Sequence, residues 1–476
     1  MDGQVLKADI CVVGGGSAGL SVAAGAAQMG ARTILIEASR MGGECLNTGC
    51  VPSKSLLACA NAAQVVREAT RYGLSTSEPR VDFSLVRDYV HRVISAIAPH
   101  DSVERFTALG CTVLKGRARF IDDRTVEAAG RHIRARRFVI ATGSQPAIPQ
   151  IPGLDAVPYL TNETLFDNTF LPDHLIIIGA GPIGCEMAQA HRRLGAKVTV
   201  LDLGPMLPKD DPEAAEVVRR ALTTEGVALI ESVKILRIER CDRGARVVVR
   251  EGTNEKPIDG SHLLVAAGRK PNLDSLDLEA AGVRFGAKGI EVDRRLRTTN
   301  RRIYAAGDAV GGYQFTHVAG YHAGIILRNA LFRLPAKTDL RALPWVTYTD
   351  PELAQVGMTE AQARQAFGTG IRVLRVDFSE SDRAQTEGAT GGFVKAIVSR
   401  RGYVLGATIV GRRAGELMLP WALTIAQRAR IGSLASIIAA YPTLSELSKH
   451  AAGSFYSPML FSRRTRAIVR FLGLFG

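Results

Sequence analysis

Ala8-Asp9-Ile10-Cys11-Val12-Val13-Gly14-Gly15-Gly16-Ser17-Ala18-Gly19 decides how the chain is read. Ala8 to Val13 is a short apolar run of strand type, and it delivers the backbone into G-x-G-x-x-G. The first glycine permits a tight turn and the second lets backbone approach a pyrophosphate. The third lets the following helix pack on the strand, with its N-terminal N–H groups turned to the anion. A second strand, Thr33 to Ile36, ends in Glu37, about 20 residues on, where a carboxylate can hold ribose hydroxyls. The stretch from Ile10 to Ala31 is long enough to span a bilayer, but Gly14, Gly15, Gly16, Gly19 and Gly25 interrupt it, so strand, turn and helix fit it better.

The same device recurs. Leu175 to Ile178 leads into Gly179-Ala180-Gly181-Pro182-Ile183-Gly184, a helix through Leu194, a strand from Lys197 to Leu201, and Asp202. Two dinucleotides are therefore expected. Each unit is followed by a strand ending in a small-residue turn, Ala141-Thr142-Gly143 in the first and Ala266-Ala267-Gly268 in the second. A third such turn, Ala305-Ala306-Gly307-Asp308, follows Ile303 and Tyr304, and closes the first domain with Asp308 placed to bond a polyol or ribose. Asp202 accepts from a ribose 2′-hydroxyl and repels a 2′-phosphate. Leu203, Gly204 and Pro205 supply no arginine, so NADH is favoured over NADPH, with Lys209 the one nearby cation.

Gly42-Gly43-Glu44-Cys45-Leu46-Asn47-Thr48-Gly49-Cys50-Val51-Pro52-Ser53-Lys54 comes next after the first fingerprint. Two cysteines five positions apart on a straight helix are separated by about 7.5 Å of rise, beyond the usual disulfide limit near 7 Å. The backbone must break there. Asn47 and Gly49 tolerate turns, and Pro52 is acceptable only in a helix's first turn, which puts Cys50 near a helix N-terminus where a thiolate is favoured.

Gly43 to Lys54 resembles the redox-active segment of the class I pyridine nucleotide-disulfide oxidoreductases, which include dihydrolipoamide dehydrogenase, glutathione reductase and mercuric reductase. The order of fingerprint, cysteine pair, second fingerprint, Gly307-Asp308 and Pro442-Thr443-Leu444-Ser445-Glu446 is the family's order along essentially the whole chain. The resemblance implies an α/β fold of two Rossmann-like nucleotide-binding domains, for FAD and NAD(P)H, with a C-terminal α+β dimerisation domain. It implies FAD on Gly14, Gly16, Ser17, Gly19, Glu37, Gly43, Lys54, Thr142, Gly143 and Asp308, and NAD(P)H on Gly179, Gly181, Gly184, Asp202 and Gly268. Lys54 and Glu186 match the family's ion pair beside the flavin. Cys50 matches the sulfur nearest the flavin, and Cys45 the outer thiol that meets substrate. Thr316 and His317 resemble the start of a helix aimed at the flavin, with His317 structural rather than catalytic.

One position departs from the better-known members. Dihydrolipoamide dehydrogenase and glutathione reductase place a histidine before Pro-Thr, where this chain has Tyr441, five residues before Glu446. A phenol with a pKa near 10 does not take up a proton at neutral pH as an imidazole does, which puts efficient exchange with lipoamide or glutathione in doubt. Mercuric reductase resembles this chain in its tyrosine and spacing, and a thiolate pair suits a soft metal ion. Mercuric reductases also carry a C-terminal cysteine pair, whereas the last cysteine here is Cys241. The leading expectation is an enzyme passing electrons from NADH through FAD and Cys45/Cys50 to a small disulfide, thiol or quinone-like acceptor. The alternatives are a reductase of Hg(II) or Cu(II), and a flavoprotein subunit recruited to a membrane or multienzyme assembly. No resident metal site is assigned.

The chain's 476 residues correspond to about three domains at roughly 150 each. Residues 1–152 with 273–340 are read as the FAD domain, 153–272 as the NAD(P)H domain and 341–476 as the interface domain of a homodimer whose Tyr441 and Glu446 complete the partner's site. Hydrophobic residues at 46% with charged residues at 22% exclude wholesale disorder or a collagen-like fibre. Seven cysteines without a secreted framework, and no signal-peptide pattern at the start, point to the reducing cytoplasm. The net charge of +14 reads mainly as an arginine-rich surface. No aromatic-basic or zinc pattern supports nucleic-acid binding. Residues 462–476 carry Arg463, Arg464, Arg466 and Arg470 among Ile468, Val469, Phe471, Leu472, Leu474 and Phe475, with no acid. A tail packed on the protein or mobile is preferred to a basic amphipathic helix on an anionic membrane.

Overall fold

The structure is a computed structural model, described over residues 5–475. Its contacts divide the chain into two compact units, one running up to Leu203 with Ala228–Thr338, the other comprising Gly204–Val227 with 339–476.

In the first unit a seven-stranded sheet runs Cys111–Lys115, Thr33–Glu37, Leu6–Val13, Arg131–Ile140, Thr125–Ala128, Ala118–Asp122, with Ile303–Ala305 also paired to Arg131–Ile140. Strand Leu6–Val13 is parallel to both neighbours, and Val13 lies level with Ile36 on one side and Ile140 on the other. That register brings the first glycine turn, Glu37 and the Ala141-Thr142 turn to one edge. From Ile10 to Val13 the strand is an unbroken apolar run because both faces are covered there. Ile10 and Val12 pack with helices Ser17–Gln28 and Thr316–Ala330 on one side, while Cys11 and Val13 join Phe120, Phe138 and Ile140 on the other. Gly25 has a packing reason, since a methyl group there would press on Leu327. The second fingerprint repeats the pattern in a parallel sheet ordered Ala228–Ile230, Lys197–Leu201, His174–Ile178, His262–Val265, with Ile178 level with Leu201 and Val265. A three-stranded antiparallel sheet, Lys234–Cys241, Gly244–Glu251 and Asn254–Gly260, completes this unit's larger sheets.

The second unit is a five-stranded antiparallel sheet ordered Pro344–Thr347, Glu352–Gly357, Val404–Gly411, Phe393–Ser399, Ile371–Asp377, packed by helices around the fully buried Trp421. Helix Pro212–Thr224 belongs here for an electrostatic reason. Its cap, Asp211, accepts from Glu213 N at 3.1 Å and pairs with the buried Lys395 Nζ at 3.0 Å, which also reaches Glu213 at 2.6 Å. Trp345 Nε1 donates to Asp210 at 2.7 Å beside this pair. Removing the lysine strands the buried Asp211 carboxylate. Lys395→Ala is accordingly expected to cost about 3 to 5 kcal/mol of stability, measurable as a lower denaturant midpoint, with the Lys395→Ala/Asp211→Ala double variant recovering part of the loss.

Candidate active site

The two nucleotide cradles share one geometry. A Cβ on Gly19 would lie 1.8 Å from Gly14 O, and one on Gly184 would lie 1.9 Å from Gly179 O, so in both units the third glycine is what allows the helix to sit against its turn. Gly14 and Gly179 have φ of 108° and 114° and approach the carbonyls of Ala141 and Ala266. The middle glycines differ from these. Gly181 faces open space, and Gly16 meets only the Cα of Gly43, at 3.8 Å. The carboxylates terminating the second strands are likewise matched. Glu37 accepts from Gly15 N at 2.5 Å, and Asp202 Oδ2 accepts from Ala180 N at 2.6 Å. Helices Ser17–Gln28 and Pro182–Leu194 both begin with a glycine cap lacking a side-chain acceptor and have no acid in the first turn, which leaves the positive helix end for an anion. These residues fit two dinucleotides. Ser17 opens its helix, and Thr142 Oγ1 donates to Asn272 O at 2.7 Å in the turn before Gly143.

The cysteine segment folds as the turn residues require. A short helix, Gly43–Asn47, carries Cys45, Thr48-Gly49 break it, and Cys50 opens the helix Cys50–Glu68 with Pro52 inside its first turn. Asn47 holds the first helix by donating to Gly43 O at 2.7 Å and Met41 O at 3.0 Å. Cys50 Sγ lies 3.5 Å from Thr316 Oγ1, the first residue of helix Thr316–Ala330. A hydrogen bond from the Cys45 thiol, another from Thr316 and the nearby Lys54 ammonium together outweigh burial and bring the Cys50 thiol down to about 6. Cys45 moves the other way, raised first by its hydrogen bond to Cys50 and then by burial. One turn along, Lys54 Nζ bonds the buried Glu186 Oε2 at 2.7 Å. The structure therefore gathers Cys45, Cys50, Lys54, Glu186 and Thr316.

The other cysteines are Cys11, Cys111 and Cys185, all buried, and the partly buried Cys59 and Cys241. Burial raises the Cys11 and Cys59 thiols, so the pair is the chemically poised site. With Cys50 depressed, its thiolate fraction falls as pH drops through about 6. Alkylation at Cys50 in the reduced protein is expected to be flat above neutral pH and to fall tenfold per unit below that value, read by mass spectrometry of the labelled peptide.

A polar network reaches this segment that sequence reasoning missed. Arg269, next to Gly268, donates to the Glu44 carboxylate and to Ser144 Oγ at 2.9 Å, and Ser144 Oγ donates to Asp308 at 2.5 Å. Asn162 donates to Glu44 at 3.0 Å, and burial pushes the Glu44 carboxyl up to about 7 against the pull of Arg269. In the second unit Tyr441 is 70% exposed and donates to Asp382 Oδ2 at 2.9 Å, while Glu446, at the start of helix Glu446–Ser454, accepts from Thr443 N at 3.4 Å. The Asp382 carboxylate raises the phenol pKa. No sequence signal marked Asp382.

The family model described as pyridine nucleotide-disulphide oxidoreductase matches residues 8–323, and that family's dimerisation domain matches 343–452. The chain belongs to this family. It is 35% identical over 450 residues to a mercuric reductase of Staphylococcus aureus, covering 94% of this chain and 82% of that one. It is 33% identical over 446 residues to a dihydrolipoyl dehydrogenase of Bacillus subtilis strain 168, covering 92% and 96%. Among solved structures, the Cu(II) complex of the HOCl-induced flavoprotein disulfide reductase RclA from Escherichia coli superposes with a TM-score of 0.84 at 29% identity, over 94% of this chain and 99% of that one. The family expectation is thus met: the chain is an FAD-dependent disulfide oxidoreductase with NAD(P)H as electron donor, and it carries the family's dimerisation domain.

Proposed function

We propose that the enzyme draws two electrons from NADH, stores them as the Cys45/Cys50 dithiol and delivers them to a small disulfide or quinone-like acceptor. The observation that carries this is the asymmetric pair, with Cys50 depressed by Cys45, Thr316 and Lys54 while Cys45 keeps its proton. FAD, when bound, supplies the two-electron relay between nicotinamide and sulfur. Gly14, Gly16, Ser17, Gly19, Glu37, Gly43, Thr142, Gly143 and Asp308 would hold it, within residues 1–152 and 273–340. Gly179, Gly181, Gly184, Asp202 and Gly268 would hold the nicotinamide dinucleotide within 153–272. Asp202 supports NADH, because its carboxylate accepts from a 2′-hydroxyl and repels a 2′-phosphate.

Reduction opens the Cys45–Cys50 bond, leaving a thiolate on Cys50 and a thiol on Cys45. Lys54 balances the thiolate's charge and is itself fixed by Glu186. Cys45 passes its proton along its hydrogen bond to Cys50 and attacks an acceptor disulfide, and the first leaving thiolate takes that proton back from Cys50. Cys50 then attacks Cys45 to re-form the disulfide and expel the second thiolate, so the acceptor leaves as two thiols for each NADH and proton consumed. In a homodimer, residues 341–476 would be the interface domain, with 462–476 as a basic tail beyond the interface itself, and Tyr441 with Glu446 of one copy would complete the other copy's site. No described helix is long and apolar enough to cross a membrane. With thiols that must be re-reduced, the cytoplasm is the compartment proposed.

A second reading, reduction of a soft or redox-active metal ion, is favoured by Tyr441 in the place of an acid/base histidine and by the mercuric reductase relative. A panel of lipoamide, glutathione disulfide, Hg(II) and Cu(II) with NADH separates the two. Turnover of a disulfide more than tenfold above that of either metal supports the first reading, and the reverse order supports the second. Tyr441→Phe is expected to lower turnover of the preferred acceptor by about tenfold, since it removes one hydrogen-bond donor. Rapid lipoamide turnover untouched by that substitution would overturn the assignment of the C-terminal residues.

A further inference from the structure

Beyond residue 452, where the family's dimerisation domain stops matching, the chain continues into a helix that nothing so far has used. Ser462 caps it, its Oγ accepting from Thr465 N at 3.2 Å, and the helix runs Arg463–Leu472. At about 100° per residue, Ile468, Phe471 and Leu472 fall along one face, with Phe475 just past the helix end, and Arg463, Arg466 and Arg470 fall along the opposite one. The apolar face is bare. Ile468, Val469, Phe471, Leu472, Leu474 and Phe475 are between 57% and 78% exposed, and Phe461 in the turn before the helix is 69% exposed. Of the two outcomes expected for the tail, packed on the protein or mobile, these exposures speak against the first within one chain. Phe471 and Phe475 meet edge to face, with ring centroids 5.2 Å apart.

We infer that this helix is a docking surface for an anionic lipid bilayer. A helix with a wide apolar face and a purely basic polar face lies in the membrane interface, with its aromatic and aliphatic side chains among the acyl chains and its cations near phosphate headgroups. From Ser457 onward there are four arginines and no acidic residue, so the surface is charge-complementary to anionic lipid at every position that carries charge. Arg464 falls within the apolar face, one turn before Ile468, and its stem is long enough to return its guanidinium to the headgroups. A second copy of the chain is a poorer occupant. Two-fold pairing of this face with itself sets a basic helix against a basic helix, and the segment lies outside the matched dimerisation domain. The inference is independent of which acceptor the enzyme reduces.

The test is co-sedimentation of the full-length holoenzyme with vesicles of phosphatidylcholine alone and of phosphatidylcholine mixed with phosphatidylglycerol, at low and high salt. Binding is expected to the mixed vesicles, to weaken with salt and to be absent with phosphatidylcholine alone. Arg466→Gln/Arg470→Gln should lower the partition coefficient about twenty- to thirtyfold, near fivefold per arginine. Ile468→Asp/Phe471→Asp should abolish binding, with NADH turnover and melting temperature unchanged. Failure of the full-length protein to pellet with the mixed vesicles at low salt, or equal pelleting of the variants, overturns the inference. So does conversion of a dimer to monomer by Ile468→Asp/Phe471→Asp in sedimentation velocity, which would make this face the partner copy's.

Discussion

Replacement of Cys50 by serine is expected to cut NADH-dependent turnover of any disulfide or metal acceptor by about a thousandfold or more, with folding and cofactor content preserved. A serine hydroxyl has no accessible anion at neutral pH and forms no bond that two electrons can open. The three groups that lower the Cys50 thiol, Cys45, Thr316 and Lys54, would then have no charge to stabilise. Serine is nearly isosteric with the cysteine it replaces, so the melting temperature should stay close to that of the parent. Steady-state kinetics with each acceptor and a melting curve check this. Turnover within tenfold of the parent would mean that electrons leave by a route that bypasses the pair.

The glycine turns allow a sharper dissection because the structure gives the two kinds of glycine opposite surroundings. Gly184→Ala would place a methyl 1.9 Å from Gly179 O, and Gly19→Ala would place one 1.8 Å from Gly14 O. Neither backbone oxygen can yield without moving a helix, so each substitution is expected to cost about 3 kcal/mol or more and to deplete the folded protein. Gly181→Ala meets nothing within 4 Å. It should fold normally and raise the KM for NADH by roughly tenfold, the loss of about one hydrogen bond to a charged group. Chemical denaturation and the KM for NADH, measured on all three, distinguish packing glycines from the ligand-facing one. Equal stability losses at Gly181 and Gly184 would contradict the assignment of that turn as a nucleotide cradle.

What was legible in the sequence was local. The strand ending at Val13, the glycine turn, the helix after it and Glu37 are neighbours along the chain, and their spacing carries the geometry. The cysteine segment was legible for the same reason, since Pro52 and Gly49 restrict where a helix can begin, and the helix does begin at Cys50. The first strand starts two residues earlier than its apolar run suggested, at Leu6, because Leu6 pairs with Ile133 on the next strand, and that partner is far away in sequence. Contacts of this kind were the ones missed. Glu44 and Arg269 are 225 residues apart, Tyr441 and Asp382 are 59 apart, and Lys395 and Asp211 are 184 apart. Lys395, alone among apolar residues in the strand Phe393–Ser399, carries a buried charge whose need for a partner is met by an acid that no local spacing points to. The exposure of Ile468 and Phe471 was also not legible, because an amphipathic pattern is the same whether its apolar face is covered or bare.

Anaerobic titration of the purified flavoprotein with NADH shows whether Cys50 is the thiolate that receives electrons. A long-wavelength charge-transfer absorbance is expected in the parent, fading as pH falls through about 6, persisting in Cys45→Ser and absent from Cys50→Ser. The same band persisting in Cys50→Ser, or missing from the parent, would contradict that role for Cys50.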